Sequence, residues 1–577
     1  MHHRRELDAV QRDLRDTRGL TVLIYDQTCA AEKRRRRKRG LYPDPPKRVF
    51  INERVCEGCG DCSVASNCVS VQPLETEFGR KRRIDQSNCN KDFSCVEGFC
   101  PSFVMVQDPK LRKADRSAAD PKALFADLPT PPATALAGPY NILITGVGGT
   151  GVITIGALLG MAAHVQGLAC STLDFTGLSQ KNGAVMSHVR LAPAADLLTT
   201  VRIAPGNANL ILGCDLVVAT STPALSRAER GVTRAVVNAD LLPTASFVIN
   251  PDIDFEAGAM RDALNGAVTP GDLDILDATG LATALTGDGI ATNAFMLGFA
   301  FQRGAIPLSL AAILKAIELN GAAIEMNKMA FSWGRLAAHD LPRVVSAARF
   351  KNAGVAPAER TLDDLIALRA KTLVDYQDEA YSKRYLADVA RVRTAESAFA
   401  PGSQELTEAF AKGLFKLMAY KDEYEVARLY SDGEFVRALK EQFEGASGLK
   451  VLLAPPLFAR RDPVTGHLQK REFGAWVFKA FGLLARLKSL RGSGLDIFGY
   501  TAERKMERAL PLDYAAMILP RLDGKTPLDL PRLVALAKAA DLVRGYGHIK
   551  EANVIRYRAE CSRIEGLMKS NFAEAAE

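Results

Sequence analysis

The chain has 577 residues, of which 47% are hydrophobic and 24% are charged, as in an ordinary soluble protein of three or four domains. Its net charge of +8 is modest, and much of it lies in one basic run, KRRRRKR at 33–39. This distribution argues against an extended nucleic-acid-binding face. The N-terminus is highly charged, unlike a secretory signal.

Residues 1–48 are typical of an incomplete domain. The stretch ELDAVQRDLRD predicts a short amphipathic helix, and LTVLIYDQTC (Leu20–Cys29) predicts a buried strand with its end loop. One helix and one strand cannot form a core, so we expect this piece to dock on something else or to be the tail of a domain encoded elsewhere. The basic run is interpreted as a solvated helix or loop, and the alternative is attraction of a small acidic electron carrier.

Seven of the eleven cysteines lie in residues 49–107. This clustering indicates metal binding in a reducing cytoplasm rather than disulfides. Cys56, Cys59 and Cys62 form a C-x2-C-x2-C loop, a spacing that favours an iron–sulfur cube over zinc, which usually takes two C-x2-C pairs. In two-cluster ferredoxins the fourth ligand comes from the other half-motif, so Cys100, which precedes a proline, is the predicted fourth ligand.

Three further cysteines, Cys68, Cys89 and Cys95, are one ligand short of a second cluster. The stretch CNKDFSC has the form C-x2-D-x2-C, with Asp92 where the half-motif should have a cysteine. A carboxylate binds iron as a harder and weaker ligand than thiolate, so Asp92 is a candidate labile ligand. Two alternatives stay open: a loop carboxylate beside a three-iron cluster, or no second cluster.

The stretch YNILITGVGGTGVITIGALLG predicts a buried strand, a glycine loop and a helix. Asp174 ends the next predicted strand, 23 residues after Gly151, and on this spacing the region fits a dinucleotide site for NAD or FAD. The alternative is a tightly packed crossover with a partner surface or an anion at the helix end. The loop glycines are Gly146, Gly148, Gly149 and Gly151. The apolar run that follows them is interpreted as a core helix, not a membrane span.

The remainder of the chain divides by composition. Residues 108–138 are a linker rich in Pro, Ala and Asp, and 361–577 are mostly helical, with Thr361 and Asp364 at a helix start. His188 is interpreted as a core histidine. The stretch RGYGHIKEANVIRYR is interpreted as a capped surface turn, with a ligand or partner site as the alternative; it contains Arg544, Tyr546, His548 and Lys550.

The stretch ILITGVGGTGVITIGALLGMAAHVQG, followed by LDFTGLSQKNGAVMSHVRLA, resembles the gamma domain of the 2-oxoacid:ferredoxin oxidoreductases. With the cysteine-rich region before it, the chain resembles the large fused indolepyruvate ferredoxin oxidoreductases. VLIYDQTCAAEKRRRRKRG is similar to the last strand and tail of their thiamine diphosphate domain. The similarity extends over the helical C-terminal region, where the motifs are weak.

This resemblance implies an α/β protein with a ferredoxin-like iron–sulfur domain, a Rossmann-like gamma domain and a mostly helical C-terminal domain. The implied divisions are a thiamine-domain tail at 1–48, the iron–sulfur domain at 49–107, the linker at 108–138, the gamma domain at 139–345 and the helical domain at 361–577. The gamma domain of this family is not known as a dinucleotide site, so the glycine loop is expected to pack against the thiamine domains. Those domains should precede residue 20 and are absent, so we expect either that a separate chain supplies them or that Met1 is an internal methionine of a longer protein.

The implied reaction is oxidative decarboxylation of an arylpyruvate such as indolepyruvate with coenzyme A, and this chain is the electron-transfer and gamma portion of the enzyme. Its own cofactors would be one or two 4Fe–4S clusters, the second with 3Fe–4S as an alternative form. Thiamine diphosphate, Mg²⁺ and coenzyme A belong to the complete enzyme and not to this chain alone. No catalytic residue is assigned. A polar loop is a candidate to face the thiamine site or coenzyme A: Ser179, Gln180, Lys181 and Asn182.

The expected partners are thiamine-bearing domains and a soluble ferredoxin in the cytoplasm, within an oligomer, and neither nucleic acid nor a membrane is expected. Two other functions stay open at this point. One is a flavin- or NAD-linked electron-transfer subunit that uses the glycine loop. The other is a non-catalytic assembly protein with a structural cluster. The substrate side chain does not follow from the sequence.

Overall fold

The structure is a computed structural model. It describes residues 1–112, 124–131, 136–177, 183–242, 247, 250, 252–348, 361–455, 460–461, 466–522 and 529–574. The chain separates into two compact units, one made of Met1–Pro45 with Asn90–Asp92 and the other of Pro46–Cys89 with Phe93–Glu577.

The first unit contains two helices, Leu7–Asp16 and Ala30–Lys38. The first is the predicted amphipathic helix, and the second contains most of the basic run. The predicted buried strand at Leu20–Cys29 is wrong, because these residues form no strand and the side chains of Leu20 and Ile24 are exposed. An apolar segment forms a stable strand only where a neighbouring strand pairs with its backbone and covers its side chains. A segment without such a neighbour lacks both the pairing and the cover.

The second unit contains the strands, numbered here in chain order. They are β1 (Lys47–Ile51), β2 (Val71–Leu74), β3 (Lys81–Ile84), β4 (Phe103–Gln107), β5 (Lys110–Leu111), β6 (Tyr140–Val147), β7 (Ala169–Phe175), β8 (Ala184–Ala192), β9 (Leu210–Gly213), β10 (Arg234–Asn238), β11 (Leu273–Leu276), β12 (Phe443–Glu444), β13 (Gly448–Leu453) and β14 (Arg471–Phe473).

The cysteine region is built on a four-stranded antiparallel sheet in the order β1-β4-β13-β14. Its last two strands come from more than 300 residues further along the chain. Successive side chains alternate between faces: Val49 and Ile51 pack in the core that contains the cysteines, whereas Phe50 packs against helices of the C-terminal region. The C-terminal region therefore completes and covers the cysteine-bearing sheet.

Two smaller pairings flank this sheet. β2 and β3 form a hairpin within the cysteine region. β5, at the start of the predicted linker, pairs with β12, and further along the linker the Phe125 ring meets the Trp333 ring edge-on at 5.0 Å between centroids. The described parts of the linker are therefore docked on the protein at these points.

The middle of the chain forms a six-stranded sheet in the order β11-β10-β9-β6-β8-β7. β11, β10, β9 and β6 are parallel, whereas β8 runs antiparallel to both of its neighbours. Apolar cores cover both faces, as in α/β folds with helices on both sides of the sheet. The helices of this region are Val152–Val165, Leu216–Ala219, Thr222–Leu225, Ala257–Ala267, Ala278–Thr286, Thr292–Gln302, Leu310–Asn320, Ile324–His339 and Leu341–Ala347.

The C-terminal region is mostly helical, as predicted, and the mixed α/β class with a parallel sheet is confirmed. Thr361 accepts a hydrogen bond from the backbone N–H of Asp364 at 3.2 Å, which caps the predicted helix start. The helices are Leu362–Tyr376, Glu379–Phe399, Glu405–Met418, Glu423–Ser431, Glu434–Gln442, Trp476–Arg486, Ala502–Ile518, Leu530–Lys538 and Gly547–Glu574.

The apolar run after the glycine loop forms the helix Val152–Val165, whose side chains Ile155 and Leu159 are buried in the core. This confirms the interpretation as a core helix. Within the ranges that the structure covers, no helix combines the length and the apolar character needed to cross a bilayer.

Candidate metal centre

The structure brings the four cysteines predicted for the first cluster together. Cys56 follows β1, Cys62 lies in the short helix Asp61–Ser66, and Cys100 precedes β4. The Cys59 thiol interacts electrostatically with those of Cys100, Cys62 and Cys56, and the Cys62 thiol does so with those of Cys56 and Cys100, and also with that of Cys95 from the second predicted set. All four therefore lie within a short range of one another although Cys100 is distant in sequence.

These thiols are largely removed from solvent. Burial, together with the neighbouring thiols, raises the pKa of Cys59 and of Cys62 well above the usual range, and burial raises the pKa of Cys100 to about 11. Four thiolates this close repel one another unless positive charge lies between them. A four-cysteine donor set in an apolar setting fits a 4Fe–4S cluster, whose irons would supply that charge.

In the described parts of the chain, no group of three or more His, Cys, Asp and Glu side chains is arranged to hold one metal ion. A mononuclear zinc site needs such convergence on one point. A cubane presents a separate iron to each cysteine, so its thiols are spread around the core. The described residues therefore contain no such mononuclear arrangement.

Two glycines allow the cysteine loops to approach so closely. A Cβ atom at Gly98 would lie 2.8 Å from the Cα of Cys62, and one at Gly58 would lie 2.1 Å from the carbonyl oxygen of Arg80. Both contacts are with backbone atoms, so any side chain would push the loops apart. The backbone N–H of Phe99 donates to the Asp61 carboxylate at 2.6 Å, which ties the Cys100 loop to the first loop.

Hydrogen-bond donors and cations surround the thiols. The Gly58 N–H points at the Cys56 sulfur at 3.4 Å, and the Cys100 sulfur lies 2.7 Å from the Ser102 hydroxyl. The fully buried Arg82 guanidinium interacts electrostatically with the thiols of Cys62, Cys56 and Cys59. Such groups stabilise negative charge on bound sulfur.

The second predicted set, Cys68, Cys89 and Cys95, packs in the same apolar core as the first. The loop between Cys89 and Cys95 contains two non-glycine residues with left-handed backbone, Lys91 (φ 52°) and Phe93 (φ 64°), a conformation that persists only where the surroundings impose it. The Asp92 side chain is exposed and belongs to the first unit. Its role as a ligand stays a prediction.

The loop before Cys89 is shaped by one carboxylate. Asp85 accepts hydrogen bonds from the backbone N–H of Ser87 at 2.9 Å, from the Ser87 hydroxyl at 2.6 Å and from the Asn88 side chain at 2.5 Å. These bonds form a turn that Asp favours through its short acceptor side chain. Asp85 therefore sets the path by which the chain reaches Cys89. It was not among the residues predicted from the sequence.

The glycine loop lies against the cysteine region, a contact that the sequence analysis did not predict. A small cavity of ≈ 20 Å³ separates the two. It is lined by Val69, Gln72 and Asn88 from the cysteine region and by Gly148, Gly149 and Thr150 from the loop, among others. The loop follows β6, and its glycine Gly151 (φ 103°) begins the helix Val152–Val165. It therefore serves as a packing element between the sheet and the cysteine region.

A buried carboxylate that the sequence analysis missed anchors the glycine loop. Asp215 accepts the backbone N–H of Val147 at 2.7 Å and that of Val218 at 2.7 Å. Burial raises the pKa of Asp215 to about 7, and the nearby Asp240 carboxylate adds to this shift. Asp215 thus joins the end of β6 to the helix that follows β9.

The arrangement around Asp174 departs from a dinucleotide site. β7, which carries Asp174, is not the neighbour of β6, because the antiparallel β8 lies between them. Asp174 is paired with Ser187, which is in turn paired with Ile144, three residues before the end of β6. Two strand spacings amount to about 10 Å sideways. In a dinucleotide fold the acidic residue follows the parallel strand beside the glycine loop. The candidate cofactor-facing residues Ser179, Gln180, Lys181 and Asn182 lie outside the described residues.

Two weaker predictions have clear outcomes. His188 is buried and its Nδ1 accepts the backbone N–H of Ile203 at 3.2 Å, which confirms it as a core histidine.

The interpretation of the stretch around residues 544–550 as a surface turn is wrong, because Tyr546 and Lys550 are buried. The Tyr546 hydroxyl donates to the carbonyl of Val55, next to Cys56, at 2.6 Å. No local pattern could have shown this contact, since it joins residues 491 apart.

Two family models match the chain. Residues 141–337 match the pyruvate ferredoxin/flavodoxin oxidoreductase family, and residues 362–563 match a family of unknown function (DUF6537). Curated relatives match the same middle region. The indolepyruvate oxidoreductase subunit IorB of Pyrococcus horikoshii is 29% identical over 208 residues, which are 35% of this chain and 97% of the relative. The subunit of the same name from Thermococcus kodakarensis is 28% identical over 208 residues, which are 35% of this chain and 97% of that relative.

The middle of this chain is therefore similar to the 2-oxoacid:ferredoxin oxidoreductases. Two solved structures are also similar to this oxidoreductase-like region. The pyruvate oxidoreductase subunit PORC of Thermotoga maritima is 19% identical, with a TM-score of 0.26, and the match covers 34% of this chain and 96% of that one. The gamma subunit of a keto/oxoacid ferredoxin oxidoreductase from Geobacter sulfurreducens is 20% identical, with a TM-score of 0.25, and the match covers 35% of this chain and 98% of that one.

Proposed function

We propose that this chain is the electron-transfer and gamma portion of an indolepyruvate-type (arylpyruvate) ferredoxin oxidoreductase. The complete enzyme would oxidatively decarboxylate a 2-oxoacid with coenzyme A and pass the electrons to a soluble ferredoxin. The carbon–carbon bond would be broken at thiamine diphosphate held by other domains or another chain. The assembled oligomer would work in the cytoplasm.

One observation carries the proposal: Cys56, Cys62 and Cys100, from two separated parts of the sequence, lie in one apolar core, and the Cys59 thiol interacts electrostatically with all three. The oxidoreductase domain supplies the reaction class, because its curated relatives are indolepyruvate oxidoreductase subunits. The second set, Cys68, Cys89 and Cys95 with Asp92, would hold a second cluster in the same region.

The roles of this chain's own residues follow from the contacts. The four thiols would hold the cluster, which supplies one-electron transfer when bound. The apolar core would keep water from it, and Arg82 would balance part of its negative charge. The glycine loop, held by Asp215, would keep the oxidoreductase domain against the cysteine region, so that electrons leaving the thiamine site reach the thiols over a fixed distance.

The test is to purify the full chain without air and to count its iron. We expect about four irons for the first set and about eight if both sets are filled, with broad visible absorbance that bleaches on reduction with dithionite. Cys59→Ala should lose the first cluster. Cys561→Ala, which truncates a buried cysteine in the last helix, should keep it. Adding a chain that bears the thiamine domains should restore arylpyruvate- and coenzyme A-dependent reduction of ferredoxin.

Other outcomes would contradict the proposal. An anaerobic chain without iron would remove its basis. A cluster that dithionite and a low-potential viologen cannot reduce would indicate the assembly protein with a structural cluster. Flavin absorbance or saturable binding of NAD would indicate the dinucleotide-linked subunit.

A further inference from the structure

The region that matches the family of unknown function surrounds the first set of cysteines. Its side chains reach the backbone on both sides of the thiols. The Tyr546 hydroxyl bonds the carbonyl of Val55, the residue before Cys56, at 2.6 Å, and the Tyr430 hydroxyl bonds the carbonyl of Pro101, the residue after Cys100, at 2.7 Å. Gly545 of the same region lies so close that an added Cβ would be 3.5 Å from the Cβ of Cys59.

This region also brings buried charge to the site. Lys421 donates to the Cys56 carbonyl at 3.2 Å, but its charge is matched by Glu57 at 2.6 Å. Lys550 is matched in the same way by Glu507, also at 2.6 Å. These two lysines therefore contribute little net charge to the cysteine site.

Lys470 differs from Lys421 and Lys550 in its surroundings. It precedes β14 and is half-buried, and its ammonium group donates to the carbonyls of Val96 and Gly98, in the loop that leads to Cys100. It interacts electrostatically with the thiols of Cys100, Cys95 and Cys62, and also with the Asp61 carboxylate, which accepts the backbone N–H of Phe99. In the portion of the chain covered by the structure, no carboxylate lies within ion-pair distance of the Lys470 ammonium group. Ion pairs elsewhere in the same sheet, such as Lys450 with Glu472, are at the surface.

We propose that the C-terminal region of unknown function is the outer shell of the first iron–sulfur cluster and sets its reduction potential, chiefly through Lys470. The inference rests on the proposed function, since it assumes the cluster. Reduction adds one negative charge to the cluster. A cation fixed beside the thiols in an apolar setting stabilises the reduced form more than the oxidised form, so it raises the potential. Lys470 thus acts on the cluster electrostatically, through the thiols that hold it.

The experiment measures the reduction potential of the full chain by titration with dithionite under electron paramagnetic resonance. The step that disappears in Cys59→Ala identifies the first cluster. Lys470→Gln removes the charge but keeps N–H groups that can donate to the two carbonyls. We expect it to lower the equilibrium constant for reduction by about tenfold, or about 59 mV for a one-electron couple. Lys470→Arg, which keeps the charge, should restore the potential.

The matched control is Lys450→Gln, which removes an exposed lysine of β13 in the same sheet and should leave the potential unchanged. If Lys470→Gln binds its full iron and has the same reduction potential as Lys450→Gln, the inference is overturned. It is also overturned if Lys470→Gln loses its iron while Lys470→Arg keeps it, because the lysine would then hold the loop and not set the potential. A wild-type chain without any cluster would fail the proposed function, which is a separate and distinguishable result.

Discussion

The ammonium of Lys421 lies 2.6 Å from the carboxylate of Glu57, and the two side chains are only 11% and 12% exposed. Glu57 stands between two cysteines of the first set, whereas Lys421 lies 364 positions later, between the helices Glu405–Met418 and Glu423–Ser431 of the C-terminal region. Lys421 also donates to the carbonyl of Cys56. The pair therefore joins the cysteine loop to the C-terminal region at a site where water cannot screen either charge.

Lys421→Met should destabilise the chain strongly, because it leaves the Glu57 carboxylate buried without its partner. Removing one member of a buried pair costs about 3–5 kcal/mol of unfolding free energy. The double variant Lys421→Met with Glu57→Gln should recover most of this loss. Urea denaturation followed by circular dichroism measures the free energy of unfolding of the single and of the double variant.

The exposed pair Lys450–Glu472 offers the control for this prediction. Lys450→Met should cost less than about 1 kcal/mol, because solvent screens surface pairs. Equal losses for Lys421→Met and Lys450→Met would show that the buried pair makes no special contribution.

A second prediction concerns the close approach of the two cysteine loops. Gly98→Ala should lower the iron content of the anaerobic chain several-fold, since the new Cβ would sit 2.8 Å from the Cα of Cys62 and force the loops apart. Iron analysis and visible absorbance measure the loss, and circular dichroism should change little, because the helical C-terminal core does not contain this loop.

Gly482→Ala is the matched control for Gly98→Ala. Gly482 lies in the helix Trp476–Arg486 with open space where its Cβ would be. Alanine favours a helix over glycine by about 1 kcal/mol, so this variant should keep its iron and be slightly more stable. Full iron content in Gly98→Ala would mean that the loops can separate without losing the site.

What the sequence could predict depended on how local the signal was. The helix start at Thr361 and the core helix after Gly151 were predicted correctly because caps and apolar periodicity act within a few residues. The buried strand at Leu20–Cys29 was wrong because its apolar residues say nothing of whether a neighbouring strand exists.

The candidate site shows the same limit. The spacing of Cys56, Cys59 and Cys62 is local, and the pairing with Cys100 followed from a known half-motif. The contributions of Lys421, Lys470 and Tyr546 were missed because they reach the cysteines across 360 or more residues. A strand pairing such as β4 with β13 has no short-range signal either.

A third prediction concerns the glycine loop. NAD(H), NADP(H) and FAD should show no saturable binding to the full chain by calorimetry, because β8 separates Asp174 from the strand that carries the loop. Gly148→Val should nevertheless harm the protein, since the loop packs against the cysteine region there. Binding in the micromolar range that Asp174→Ala abolishes would restore the dinucleotide interpretation.

A fourth prediction is a pH dependence that originates at Asp215. Its pKa is raised to about 7 by burial, so between about pH 4 and pH 7 the folded chain keeps a proton that the unfolded chain has released. Stability from this group is therefore present at low pH and lost as the pH rises to about 7, by an amount on the order of 4 kcal/mol. Asp215→Asn should remove this fall, which urea midpoints measured from pH 4 to pH 8 would show.

The neighbouring Asp240 provides the comparison for Asp215. Its pKa is raised to about 6 by burial and by the Asp277 carboxylate, so Asp240→Asn should remove a fall that ends near pH 6. If Asp215→Asn and the wild-type chain lose stability equally between pH 4 and pH 7, then Asp215 is not the group that titrates there.

The last prediction concerns the eighth ligand position, where C-x2-D-x2-C places Asp92. If Asp92 closes the second cluster, the iron at that corner is bound by oxygen, which holds it less tightly than thiolate does. Mild oxidation of the anaerobic chain should then release this iron first and produce a three-iron signal in electron paramagnetic resonance. Asp92→Cys should suppress the signal, because thiolate retains the fourth iron, whereas Cys59→Ala should damage the other cluster and leave the three-iron signal in place. An anaerobic chain with only about four irons, whose spectra do not change in Asp92→Cys, would show that Cys68, Cys89 and Cys95 hold no second cluster.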